Sequence, residues 1–145
     1  MKTSFYFIFL LTITLSLESD SEILNLNITN FENIIENSKK AILVLFFDPK
    51  CPHSEKFIPL FKKIAKEYED NNNIAFGMIN GEENVDITDR NLVLSYPKMK
   101  LFVNGESYFF EGKRSEERIK DFINEYISKS KSQLKYAKNL RQQET

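Results

Sequence analysis

Ala41-Ile42-Leu43-Val44-Leu45-Phe46-Phe47-Asp48-Pro49-Lys50-Cys51-Pro52-His53-Ser54 joins an unbroken apolar run to a short polar turn and a lone thiol. An uncharged run of this length, made of aliphatic and aromatic residues, reads as a strand buried on both faces at the centre of a helix-covered sheet. Pro52 then sits where proline is tolerated, in a first helical turn. Phe57, Leu60, Phe61, Ile64 and Tyr68 recur behind it at helical spacing, up to Asp70-Asn71-Asn72-Asn73. Pro59 interrupts that helix and should kink it without ending it, because the apolar period continues beyond. A strand feeding a helix N-terminus sets Cys51 against unpaired backbone N–H groups and the positive end of the helix dipole, both of which favour thiolate over thiol. The chain has one cysteine in 145 residues. No internal disulfide can form, so any disulfide chemistry at Cys51 is with another molecule.

Working outward, Ile23-Leu24-Asn25-Leu26-Asn27 alternates as a half-buried strand does, and Thr29-Asn30-Phe31-Glu32 has the form of a capping box, predicting a helix from about Asn30 to Ser38. Ile74 to Ile79 is a second apolar strand, followed by a short helix around Asp86 to Leu94 and then Tyr96-Pro97. Met99 to Val103 and Ser107 to Phe110 flank Asn104-Gly105, the strongest short hairpin signal. Gly112-Lys113-Arg114-Ser115 leads into a last helix with Ile119, Phe122, Ile123, Tyr126 and Ile127 on one face. The order β-α-β-α-β-α-β-β-α predicts an α/β domain with a mixed sheet between helices. From residue 129 to 145 the composition is that of a charged tail or frayed helix extension.

Met1-Lys2-Thr3-Ser4 and the apolar run Phe5 to Leu17 read as a secretory signal peptide over residues 1–16, shorter than a membrane span requires. The expected location is the lumen of the endoplasmic reticulum or the exterior, with no membrane attachment of the mature form. In that compartment Asn27-Ile28-Thr29 is an acceptor sequence for N-glycosylation. The net charge of −1 is spread over mixed acidic and basic residues, which argues against nucleic acid or an anionic membrane as partner. One cysteine and one histidine do not make a structural zinc site, and neither a metal nor another cofactor is expected.

The order of elements, Phe46-Phe47-Asp48-Pro49-Lys50-Cys51-Pro52-His53-Ser54, the later Tyr96-Pro97 and the closing Asn104-Gly105 hairpin resemble a thioredoxin domain, nearest in kind to the protein disulfide isomerases. The resemblance implies a thioredoxin fold, with terminal hairpin and C-terminal helix, in a domain over residues 17–128. It implies that Cys51 is the nucleophile, that His53 stabilises its thiolate, and that Pro97 is the cis proline beside the active site that presents backbone to an extended substrate. Tyr96 would stand at the substrate groove, and Arg114 falls where isomerases carry an arginine that approaches the site. Three departures stand out. Ser54 replaces the resolving cysteine, Leu45 replaces the acid usually buried below it, and Lys50 replaces a tryptophan while adding a charge that favours thiolate.

Without a resolving thiol, release of a mixed disulfide falls to a thiol on the client, to glutathione or to another oxidoreductase, and efficient net oxidation or reduction is not expected. A monothiol isomerase or thiol-mediated retention and folding factor, holding client proteins by intermolecular disulfides, follows from this. The alternatives are a redox-inactive thioredoxin-fold binding or chaperone module, in which Cys51 is a relic, and a glutathione-using activity of the monothiol glutaredoxin kind.

Overall fold

The computed structural model describes residues 23–143, so the signal peptide expected over residues 1–16 lies outside the described part. The elements are β1 (Leu24–Leu26), α1 (Phe31–Asn37), β2 (Ala41–Phe47), α2 (Pro52–Glu67), β3 (Ile74–Asn80), α3 (Val85–Arg90), β4 (Lys98–Val103), β5 (Glu106–Phe109) and α4 (Glu116–Gln143). They form a five-stranded sheet in the order β1-β3-β2-β4-β5. The first three strands in that order run parallel, and β4 and β5 are antiparallel. This is the mixed sheet between helices that the element order predicts, with the terminal hairpin and C-terminal helix expected of a thioredoxin fold.

The unbroken apolar run of β2 is explained by its two neighbours and its two covered faces. Ala41, Leu43 and Leu45 point into a core closed by Phe57, Phe61 and Ile64 of α2 and by Ile119 and Ile123 of α4. Ile42, Val44 and Phe46 point the other way, against Phe31 of α1, Ile87 of α3 and Val93. Both layers are stacked with aromatic rings, such as Phe31 edge-on to Phe102 and Phe61 edge-on to Phe76. Outside the sheet, Lys63 and Lys120 converge on Glu116 at 2.6 and 2.7 Å, tying α4 to α2. Hydrogen bonds from those lysines, Lys120 first, hold the Glu116 carboxyl down to about 2.

Pro59 lies inside α2, and the helix continues through it to Glu67. At the hairpin, Asn104 and Gly105 both have positive φ, 51° and 80°, the handedness a tight two-residue turn needs. The capping box expected at α1 does not form. Thr29 Oγ1 donates instead to Asn27 Oδ1 at 2.6 Å, and Glu32 pairs with Arg90 at 2.8 Å. The helix starts one residue later than the box requires, with Asn30 as its N-cap, so Thr29 lies outside it and its hydroxyl closes a local Asx turn at Asn27. At the other end of the chain α4 runs past Ser128. Ser130 is still buried against Asn104, whereas from Lys131 to Gln142 every side chain except that of Ala137 is exposed.

Candidate functional site

β2 ends at Phe47 and α2 begins at Pro52, and a tight turn between them delivers the thiol. Asp48 organises that turn: its Oδ1 accepts from the Lys50 N–H at 2.7 Å and its carbonyl from the Cys51 N–H at 3.1 Å. Cys51 occupies the N-cap of α2 in an extended conformation, with its carbonyl accepting from the Glu55 N–H at 3.0 Å. Its side chain is half-buried. In the first turn of α2 the N–H groups have no helical acceptor, so they are available to the sulfur. The Cys51 thiol is accordingly held below its ordinary value, first by the Ser54 backbone N–H and then by the His53 backbone N–H and the Ser54 hydroxyl, against partial burial and the Asp48 carboxylate.

Ser54 is fully buried beneath this turn, where its Oγ accepts from the Asp48 N–H at 3.2 Å. The His53 side chain is exposed, and its effect on the thiol runs through the main chain. Lys50 reaches Glu82 at 2.8 Å, on the loop after β3, and is not among the charges that move Cys51. Across from the thiol, the Tyr96–Pro97 peptide bond is cis, Pro97 is buried, and the Tyr96 carbonyl stands 3.8 Å from Cys51 Sγ. The Tyr96 ring packs against the core shared by α1 and α3 and lies over Gly81, where an added Cβ would overlap the phenol. Arg114 donates from Nη2 to the Pro97 carbonyl at 2.8 Å, so it fixes the loop opposite Cys51. Cys51, Ser54, Tyr96, Pro97 and Arg114 thus converge, while Lys50 and His53 face outward and Asn27 stands on the loop after β1.

Residues 22–125 match the thioredoxin family profile. The chain belongs to the thioredoxin family. Its relatives are disulfide-isomerase-like proteins. It is 32% identical to endoplasmic reticulum resident protein 44 of mouse, over 74% of this chain and 28% of that protein. It is 31% identical to protein disulfide-isomerase 1 of Caenorhabditis elegans, over 68% of this chain and 20% of the other. Among solved structures, the first thioredoxin domain of mouse protein disulfide-isomerase A4 superposes with a TM-score of 0.67 at 29% identity, covering 74% of this chain and 76% of that one. The chain spans between 20% and 30% of the length of these and similar curated relatives.

Sequence reasoning missed four residues of this thioredoxin domain's site. Asp48 and Glu82 act by charge on Cys51 and Lys50, and Gly81 makes room for the Tyr96 ring. The Asp48-Pro49 pair after a strand is a turn signal that pointed to the first of them. The fourth is Leu94, 94% exposed only two residues before Tyr96, in a loop where Leu92 holds a left-handed φ of 58°. In sequence both leucines fall within the short helix expected around Asp86 to Leu94, which in the structure ends at Arg90. Leu45, where isomerases carry an acid, is fully buried between Met78 and Met99 of the flanking strands.

Proposed function

We propose that this thioredoxin domain captures cysteine-bearing client proteins in the early secretory pathway through reversible mixed disulfides at Cys51. The observation that carries this reading is a half-buried thiol at the start of α2, lowered by first-turn N–H groups, with Ser54 at the position from which a second thiol would release the client. The Cys51 thiolate attacks one sulfur of a client disulfide. A Cys51–client bond forms, the client disulfide breaks, and its electron pair leaves on a client thiolate. A second client thiolate, or a small thiol such as glutathione, then attacks and expels the Cys51 thiolate. When the client supplies both thiols the cycle is redox-neutral, which is isomerisation. The relatives' residence in the endoplasmic reticulum, as their names give it, and the N-terminal apolar run support a luminal site.

The pH dependence of Cys51 alkylation tests this. The midpoint should fall clearly below the ordinary thiol value, about 8.5. It should fall further in Asp48→Asn, which removes an opposing charge yet keeps the turn's acceptor oxygen, and stay in place in His53→Ala, which keeps the N–H. Cys51→Ser should lose every disulfide-linked adduct. A thiol that titrates as an ordinary one would leave the domain as a binding module, a reading favoured by the exposed Leu92 and Leu94. Leu94→Asp should weaken client capture in either case while leaving the melting temperature within a degree or two, since the side chain packs on nothing; capture at the parent level would remove Leu94 from the client surface.

A further inference from the structure

We infer that Asn27 carries an N-linked oligosaccharide on the rim of the Cys51 site. The fold uses one atom of this side chain and spares the other. Asn27 Oδ1 accepts from the Thr29 N–H at 2.9 Å and from the Thr29 hydroxyl at 2.6 Å, while Nδ2 makes no hydrogen bond among the described residues. No buried side-chain polar atom there lacks a partner, which leaves that nitrogen facing solvent. A sugar on Nδ2 therefore leaves the turn's contacts intact. The reaction joins Nδ2 to the anomeric carbon of a lipid-pyrophosphate-linked oligosaccharide. The carbon–oxygen bond to phosphate breaks, the lipid pyrophosphate leaves with the bonding pair, and Nδ2 gives up one proton to base.

The placement gives the sugar a consequence. β1, β3 and β2 are parallel, so Asn27 directly after β1, Asn80 at the end of β3 and Phe47 at the end of β2 lie at the same end of the sheet, the end from which the chain runs on to Cys51. β1 lies two places from β2, about 10 Å away at ordinary strand spacing. The intervening loop is tied on both sides. The Ile28 N–H donates to Asn84 Oδ1 at 2.9 Å, Asn84 Nδ2 to the Asn80 carbonyl at 2.8 Å, and the Gly81 N–H to the Phe47 carbonyl at 2.8 Å. An oligosaccharide rooted at Asn27 thus stands beside the client groove and screens it against bulky folded partners.

This rests on the luminal reading, and the test separates the two. The full chain is synthesised in the presence of microsomal vesicles, exposed to external protease, and treated with an endoglycosidase that removes N-linked sugar. The expected result is a protease-protected chain that loses the mass of one oligosaccharide on digestion, and whose Asn27→Gln and Thr29→Ala variants show no such loss while Thr29→Ser does. A protected chain without sugar overturns the site and leaves the client reading standing; a chain outside the vesicles overturns both. Sugar removal should raise adduct yield with a folded disulfide-bonded client and leave the yield with a short disulfide peptide unchanged. Equal yields before and after removal overturn the screening role.

Discussion

Ser54→Cys should collapse the yield of Cys51–client adducts by about tenfold or more, because it places a second thiol one helical turn from the first and makes release intramolecular. Ser54 is fully buried and close in size to cysteine, so the substitution tests chemistry more than packing. Mass analysis after alkylation should find both thiols protected by an internal disulfide. The new thiol would work without help, since Leu45, fully buried between methionines, stands at the position where isomerases carry a proton acceptor. Release in the variant should therefore accelerate as pH rises and the introduced thiol ionises unaided, a dependence that a buried acid would flatten. If adduct yield in Ser54→Cys matched the parent, resolution would not be what holds clients here, and the single-thiol mechanism would fall.

The parts of this domain that could be read from sequence are those where one local pattern has one physical solution. β2 is legible because a run without polar residues fits only a strand covered twice, and the structure divides its side chains between the α2/α4 and α1/α3 layers. The Asn104-Gly105 hairpin is legible because both residues tolerate positive φ. What was not legible depends on competition or on distance. Thr29 turns its hydroxyl back to Asn27, and α1 starts one residue later with Asn30 as its N-cap, undoing the expected box. Lys50 carries a charge suited to assisting the thiol, but Glu82, far along the chain, claims it. His53 is the residue type expected to tune a thiolate, yet the work passes to main-chain N–H groups that any side chain at that position would supply. Electrostatics at the start of a helix belong first to the backbone, as the strand-to-helix junction ahead of Cys51 already indicated; what sequence did not show is that the His53 side chain adds nothing to it.

Gly81→Ala should lower the stability of the domain by about 1–3 kcal/mol, the range typical of overpacking a filled site. No unusual φ requires glycine here; the Tyr96 phenol occupies the space a Cβ would take. A phenol tip is the far end of a side chain and would swing clear at little cost were the ring free. It is not free: the ring is half-buried against the core of Val44, Phe46 and Ile79, and its own backbone carbonyl stands 3.8 Å from Cys51 Sγ. Displacing it should move the carbonyl as well, so Gly81→Ala should change the alkylation rate of Cys51 from a position that never touches the thiol. Tyr96→Thr, in turn, should weaken the fold in addition to altering client capture. The decisive comparison is the cycle formed with Tyr96→Ala. The double variant should recover most of the penalty that Gly81→Ala incurs alone, with a coupling of about 0.5–3 kcal/mol, as found for residues in direct contact. Additive effects would mean that the ring lies in the open groove, where it acts on clients alone, and that the coupling between Gly81 and the thiol does not exist.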